Sequence, residues 1–201
     1  MPSSFLITLF LGIQLLEIPE NIMPAWLTLF KEYPILNHGT SESVRSNLQY
    51  FSKEPHCAVL IAETDDHIMA GLATGIPLVA YPYETELFQK SNLDPSDFYH
   101  INDLIVSPRY RKQGIASKLY KKLEKQVTSW GYTKICLCTI EHEDNHPLKP
   151  INFYDSTIFW QHQEFSKTSL KIKESWPTII DEQGMVEMYE HTLVFWIKEL
   201  K

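Results

Sequence analysis

The chain has 201 residues, a formal net charge of −7 at pH 7, 44% hydrophobic residues and 21% charged residues. This length fits a single domain with a substantial core, and the composition is that of a globular protein. The acidic balance argues against generic nucleic-acid binding, which needs a basic surface, and suits a cationic or amine ligand. Three cysteines, Cys57, Cys136 and Cys138, lack paired metal-ligand spacing, which predicts reduced thiols in a cytoplasmic protein.

The N-terminus carries a short apolar run from Phe5 to Leu11 with no Lys or Arg before it. The run is too short to cross a bilayer and lacks the charge of a secretory signal. We therefore predict an extension over residues 1–11, partly strand or partly disordered, before a single domain over residues 12–201. No membrane partner is expected.

Hydrophobic periodicity predicts the elements in chain order. The first half reads as a weak strand at 12–18, helices at 19–33 and 41–53, and a hairpin of strands at 57–63 and 68–81. The second half reads as strands at 100–106, 134–140, 168–172 and 191–197, with helices at 113–130 and 150–160. Residues 82–98 form either a functional loop or a short helix over 84–90. This order predicts an α/β fold, a mixed sheet with helices on both faces.

The passage from the strand at 100–106 into the next helix is typical of an anion site. Its loop contains Arg111-Lys112-Gln113-Gly114-Ile115-Ala116, and the helix that follows has a single apolar stripe, namely Ile115, Leu119, Leu123, Val127 and Trp130. The first N–H groups of a helix lack internal partners and lie at the positive end of its dipole. Gly114 and Ala116 let a phosphate approach the backbone, and Arg111 and Lys112 add positive charge.

The segment from Val106 to Ala116 resembles the acetyl-CoA pyrophosphate loop of the GCN5-related N-acetyltransferases, with its signature Arg/Gln-x-x-Gly-x-Gly/Ala after a strand. The layout is similar to this GNAT family from about Gly12 to Leu200, and Asn152-Phe153-Tyr154 resembles a second family patch. The Gly-Phe usual after that Tyr is replaced here by residues 158–162. The resemblance implies a GNAT-like α/β fold, acetyl-CoA as co-substrate without a metal, and acetyl transfer to an amine.

The resemblance also implies which residues form the site. The cofactor-binding set comprises the strand backbone at Ile105 and Val106, the loop Arg111, Lys112, Gln113, Gly114, Ile115 and Ala116, and Asn145. Tyr154 matches the acid that protonates the leaving thiolate, because a phenol with a pKa near 10 keeps its proton at neutral pH.

The general base stays open between His100 and Asp103. Asn102 stands where relatives resembling polyamine acetyltransferases carry a Glu, and an amide takes no proton. Strand alternation predicts His100 and Asn102 on the face of Val106, with Asp103 on the other face.

Two further functions stay open. His142-Glu143-Asp144-Asn145-His146 matches the H-E-x-x-H pattern of zinc hydrolases, but that pattern needs a helix, and Pro147 follows at once. The fold would also serve a non-catalytic CoA-binding sensor. We expect a small-molecule amine as acceptor, direct attack in a ternary complex, no nucleic-acid partner, and an oligomeric state left open, with a homodimer among the options.

Overall fold

The computed structural model describes residues 5–11, 22–31, 46, 49–50, 52–141, 156–179 and 185–201. Strands and helices follow in the order β1 (Phe5–Leu11), α1 (Ile22–Lys31), β2 (Ala58–Thr64), β3 (Met69–Pro77), α2 (Pro82–Lys90), β4 (Phe98–Val106), α3 (Ile115–Ser129), β5 (Lys134–Ile140), α4 (Thr157–His162), β6 (Ser166–Ile179) and β7 (Val186–Glu199). Of the described helices, none is long and apolar enough to cross a membrane.

The described strands form a seven-stranded sheet in the order β1-β2-β3-β4-β5-β7-β6. Neighbouring strands run antiparallel, except that β4 and β5 are parallel. Helix α3 packs on one face of this sheet and α2 on the other, and these are called the α3 face and the α2 face. The mixed sheet with helices on both faces confirms the predicted α/β fold.

The apolar run near the N-terminus is the edge strand β1. It pairs with β2 over its whole length, from Phe5 opposite Thr64 to Leu11 opposite Ala58. The strand alternative for the predicted extension over residues 1–11 is therefore the one observed at Phe5–Leu11, and it supplies hydrogen-bond partners to the edge of β2. The strand predicted at 12–18 lies outside the described residues, and the start of the domain stays a prediction.

The α3 face holds the predicted apolar stripe. Ile115, Leu119, Leu123 and Val127 are buried there in one cluster with residues of the central strands, including Tyr99, Ile101 and Val106. Trp130 is partly buried against the same cluster. The predicted amphipathic helix is confirmed, and its first residue, Ile115, holds the start of the helix on the sheet.

Helix α2 resolves the two interpretations of residues 82–98 in favour of a helix. It begins with Pro82 in its first turn, where the missing N–H costs nothing. Phe88 packs edge-on against Phe98 of β4 and Phe195 of β7, at ring distances of 4.9 and 5.0 Å. The helix therefore lies across the α2 face, over the centre of the sheet.

A β-bulge interrupts β4 opposite β3. Thr74 pairs with Asp103 and Gly75 with Ile101, so Asn102 is an extra residue on β4. A Cβ on Gly75 would lie 2.4 Å from a ring carbon of Tyr99 and 2.9 Å from the backbone oxygen of His100. Only glycine admits so close an approach, and the extra residue reverses the alternation of side chains beyond it.

The β6–β7 hairpin is much longer than the predicted strands at 168–172 and 191–197. Each strand has 14 residues, and they pair as far as Ile179 opposite Val186. Strand β5 accompanies β7 only as far as Leu193. Residues 174–179 and 186–191 therefore extend past the end of β5, and this part is called the hairpin arm. Much of the arm is exposed on both sides, which explains why periodicity did not predict it.

Candidate functional site

The loop between β4 and α3 has the backbone of an anion cradle. After a 3-10 turn over Pro108–Tyr110, Lys112 takes a φ of 61° and Gly114 a φ of 77°. Gly114 precedes the first residue of α3, and no side chain caps this 15-residue helix. Lys112, Gln113 and Gly114 are exposed, so the first N–H groups of α3 face an open surface with positive charge beside them.

The two parallel strands beside this loop diverge, and the region between their diverging ends is called the cleft. Within the described residues, β4 pairs with β5 only from Phe98 to Ile101, opposite Lys134 to Leu137. Beyond Ile101, β4 continues to Val106 with β3 as its strand partner, and β5 continues to Ile140 with β7. The two strands therefore separate beyond Ile101, so Ile105 and Val106 pair with β3 and not with β5.

The bulge places three polar side chains of β4 on the α2 face, namely those of His100, Asn102 and Asp103. The Asn102 amide Nδ2 donates to the Tyr81 hydroxyl, and His100 Nδ1 lies 3.3 Å from Asn102 Oδ1. Asp103 Oδ2 accepts a 2.6 Å hydrogen bond from Thr74 Oγ1.

The predicted alternation along β4 is wrong, because it assumed a regular strand. Val106 lies in the hydrophobic cluster of the α3 face, whereas His100 and Asp103 share the α2 face. The bulge at Asn102 is the physical reason for the difference.

His100 is a buried, neutral imidazole. Burial lowers its pKa from 6.5 to about 4, and the hydrogen bond with Asn102 opposes this shift only in part. Since Asn102 Oδ1 is an acceptor, Nδ1 carries the ring proton. Nε2 then carries the acceptor lone pair of the ring, and this atom is buried and has no hydrogen-bond partner among the described residues. This nitrogen is able to accept a hydrogen bond or a proton from a ligand.

Asp103 and Tyr81 are also held towards their neutral forms. Burial raises the pKa of Asp103, and the hydrogen bond from Thr74 lowers it in part. Burial likewise raises the pKa of Tyr81, opposed by the Asn102 hydrogen bond and reinforced by the nearby carboxylates of Asp103 and Glu84. His100, Asn102, Asp103 and Tyr81 are called the β4 polar group, and burial disfavours the charged forms of its titratable members.

The three cysteines are unpaired, as the sequence predicted. Burial, with a smaller contribution from Glu54, raises the pKa of Cys57 to about 12. Burial also raises the pKa values of Cys136 and Cys138 well above their ordinary range. Thiols in this state are poor nucleophiles.

Most of the predicted site residues lie on β4 and at the start of α3. Ile105 and Val106 end β4, the segment from Arg111 to Ala116 leads into α3, and His100 and Asp103 share the α2 face. Tyr154 and Asn145 lie outside the described residues, as does the H-E-x-x-H segment from His142 to His146. The roles of all these residues stay predictions.

Three residues in or near the β4 polar group were not predicted from the sequence: Tyr81 and Thr74, which hydrogen-bond to Asn102 and Asp103, and Glu84 in the first turn of α2. Tyr81 and Glu84 reach the site because α2 packs across the α2 face, and Thr74 because it pairs with Asp103. The Tyr81-Pro82 step at the end of a strand was an available signal, since proline often occupies the first turn of a helix.

Comparison with known proteins agrees with this geometry. The profile of the acetyltransferase (GNAT) family matches residues 23–156, more than half of the chain. No curated protein matches the chain.

Solved structures share the fold at low identity. An N-acetyltransferase from Staphylococcus aureus Mu50 aligns with a TM-score of 0.63 and 15% identity over 99% of this chain and 100% of its own. A ribosomal-protein-alanine N-acetyltransferase from Brucella melitensis gives 0.62 and 16% over 97% and 99%. The yncA structure from Salmonella typhimurium, with its cofactor acetyl-CoA, gives 0.57 and 13% over 99% and 95%. On the match to its profile, the chain belongs to the acetyltransferase (GNAT) family.

Proposed function

We propose that the protein transfers the acetyl group of acetyl-CoA to the amine of a small molecule, by direct attack in a ternary complex. The observation that carries this proposal is the separation of β4 from β5 just before the open N-terminus of α3. An extended thiol arm would lie along β4 at Ile105 and Val106, and its pyrophosphate would lie against the loop from Arg111 to Ala116. Asn145 is proposed as a further contact to the cofactor.

The polar group on the α2 face supports the acceptor side of this proposal. His100 Nε2 is uncharged and without a partner among the described residues, so it can accept the proton of an amine directly or through water. Asp103 is the second candidate base, although one of its oxygens already accepts from Thr74. We favour His100 because its Nε2 has no hydrogen-bond partner among the described residues, whereas Asp103 already accepts one from Thr74.

The proposed acetyl transfer uses neither a metal nor a covalent enzyme intermediate. The amine nitrogen forms a bond to the thioester carbonyl carbon, and the C–S bond breaks as the thiolate leaves. His100 receives the amine proton, and Tyr154 supplies a proton to the thiolate. The three unpaired cysteines support a cytoplasmic location for this reaction, since reduced thiols are typical of that compartment.

The test is a thiol-release assay on the intact protein with acetyl-CoA and a panel of primary amines, alongside calorimetric titration of acetyl-CoA. We expect binding, and one free thiol for each acetylated amine. Binding without thiol release for any amine would favour the CoA-binding sensor instead. Absence of both binding and thiol release would overturn the proposal.

Loop variants sharpen the test. Arg111→Ala should weaken acetyl-CoA binding about tenfold, because a charged hydrogen bond to phosphate contributes roughly 1.5–3 kcal/mol. Arg109→Ala is the control, since Arg109 is exposed in the preceding turn and lies outside the signature. Equal losses in the two variants would show that the loop contributes only general positive charge.

A further inference from the structure

Three side chains of the β4 polar group form a hydrogen-bonded chain that ends at His100. The Tyr81 hydroxyl accepts a hydrogen bond from Asn102 Nδ2, and Asn102 Oδ1 lies 3.3 Å from His100 Nδ1. The amide of an asparagine is asymmetric, because one end accepts hydrogen bonds and the other end donates them. The orientation of this amide therefore decides which kind of group faces His100 Nδ1.

The orientation of the Asn102 amide also fixes the tautomer of His100. When Oδ1 faces the ring, Nδ1 carries the ring proton and Nε2 keeps its lone pair. When the amide is turned, Nδ2 donates to Nδ1 and the ring proton moves to Nε2, which then cannot accept another proton. Among the described residues, no other side chain hydrogen-bonds to the ring.

Tyr81 makes the contact that distinguishes the two orientations. Its hydroxyl accepts from Nδ2 in the observed orientation. Without this hydroxyl, the observed orientation would leave a partly buried N–H group of Asn102 without a partner, whereas the turned amide would leave only a carbonyl oxygen. An orphaned buried N–H is the rarer case in native proteins. Loss of the hydroxyl therefore favours the turned amide.

The backbone around Tyr81 holds its hydroxyl in place. The Tyr81 N–H donates to the Leu78 carbonyl at 2.9 Å, and the Tyr81 carbonyl accepts from the Thr85 N–H at 2.9 Å. The following Pro82 restricts Tyr81 to extended backbone, with φ −108° and ψ 102°. The Tyr81 ring packs edge-on against His100 at a ring distance of 5.2 Å. The acceptor for Asn102 Nδ2 is thus part of a fixed element.

The remaining neighbours of His100 do not set its tautomer. Phe195 lies at a ring distance of 6.2 Å and has no hydrogen-bonding side-chain group. Cys136 is opposite His100 on β5, and burial raises the pKa of its thiol well above the ordinary range, so the thiol is uncharged. Asp103 accepts from Thr74.

We propose that Tyr81 is a positioning residue: it orients Asn102, and Asn102 keeps the ring proton of His100 on Nδ1. The Nε2 atom then stays able to take the proton of the acceptor amine. The proposal rests on the proposed function for this role of Nε2, whereas the orientation of the amide is a property of the protein without ligands. Asn102 takes no proton itself and acts through His100.

Nitrogen-15 NMR of the ligand-free protein tests the orientation. At about pH 8, above the ordinary pKa of histidine, ring nitrogens with and without a proton have distinct shifts, and His100→Gln identifies the His100 signals among the eight histidines. We expect the Nδ1–H tautomer in the wild type and a change towards Nε2–H in Tyr81→Phe. Tyr83→Phe is the matched control and should behave as the wild type, because Tyr83 is 80% exposed.

Asn102→Asp provides a rescue. Both oxygens of a carboxylate are acceptors, so its orientation no longer matters and the Tyr81 hydroxyl becomes dispensable. The double variant Tyr81→Phe/Asn102→Asp should therefore return His100 to the Nδ1–H tautomer. A general loss of packing in Tyr81→Phe would not be reversed by this second substitution. Thermal unfolding shows whether each variant is folded.

Acetylation kinetics give the second readout. Tyr81→Phe should lower kcat at least about tenfold, a part of the 10² to 10⁴ that a general base contributes, with unchanged acetyl-CoA affinity. An unchanged tautomer in Tyr81→Phe, or the Nε2–H tautomer in the wild type, would overturn the proposal whatever the activity. The expected tautomers without acetylation of any amine by the wild type would overturn the proposed function alone. The expected tautomer change with an unchanged kcat would overturn His100 as the base.

Discussion

Acidification should destabilise the fold through His100. Its pKa is about 4 in the folded chain, because burial disfavours the imidazolium, and 6.5 in the ordinary exposed state. Below pH 6.5 the unfolded chain therefore binds a proton that the folded chain cannot take until about pH 4. The stability that a neutral His100 permits is present above pH 6.5 and is lost as the pH falls through this window. The linkage relation gives a loss of about 2 kcal/mol by pH 5 and about 3 kcal/mol by pH 4.

Urea unfolding of the wild type and of His100→Gln measures this effect. Glutamine does not titrate, so the difference in unfolding free energy between the two proteins should change by about 2 kcal/mol between about pH 7.5 and pH 5. The raised pKa values of Asp103 and Glu84 shift stability in the opposite direction, but both groups are present in both proteins and cancel. A difference that stays constant over this range would refute the reasoning that His100 is buried and neutral.

Three further variants test the site. Gly114→Ala should weaken acetyl-CoA binding about tenfold, because the added Cβ meets no protein atom within 4 Å and would occupy the ligand's space. Gly131→Ala is the control: both variants place alanine at a positive φ, 77° and 89°, and should each lose about 1–2 kcal/mol of stability, but Gly131→Ala should leave the affinity unchanged. Equal affinities in the two variants would contradict this prediction. Tyr154→Phe should lower kcat by about 10² to 10⁴ while calorimetry shows unchanged acetyl-CoA affinity, and an unchanged kcat would remove Tyr154 as the acid. Thr74→Val should raise the pKa of Asp103 further, as measured by NMR titration, because it deletes the hydroxyl that now lowers it; a carboxyl pKa that does not move would be inconsistent with the 2.6 Å hydrogen bond.

Local patterns predicted the part of the site that depends on one segment. The apolar stripe from Ile115 to Val127 and the glycine before it specify a helix and its open start without reference to other strands. Strand β5 was predicted with its observed ends, 134–140, because its apolar run stands between turn residues and a polar segment. In both cases the physical cause lies within about a dozen neighbouring residues.

Contacts between segments explain what the sequence did not predict. Tyr81 and Glu84 belong to the site only because Phe88 anchors α2 across the sheet. The bulge at Asn102 depends on Gly75 in the neighbouring strand, which lets the backbone of β4 come close. No pattern within β4 alone indicates this close approach. Strict alternation therefore put Asp103 on the face opposite to His100, whereas the two residues share one face.

The extra residue in β4 links the cleft to the polar group. Asn102 directly follows Ile101, the last residue of β4 that pairs with β5, and a bulge increases the local twist of a strand. The strands therefore separate at the residue that brings His100 and Asp103 to one face. Without the bulge, Asp103 would lie on the α3 face among Ile101 and its apolar neighbours, where an unpaired carboxylate is costly. The polarity of Asp103, three residues after His100, thus favours the bulge, and the same choice of register opens the cleft beside it.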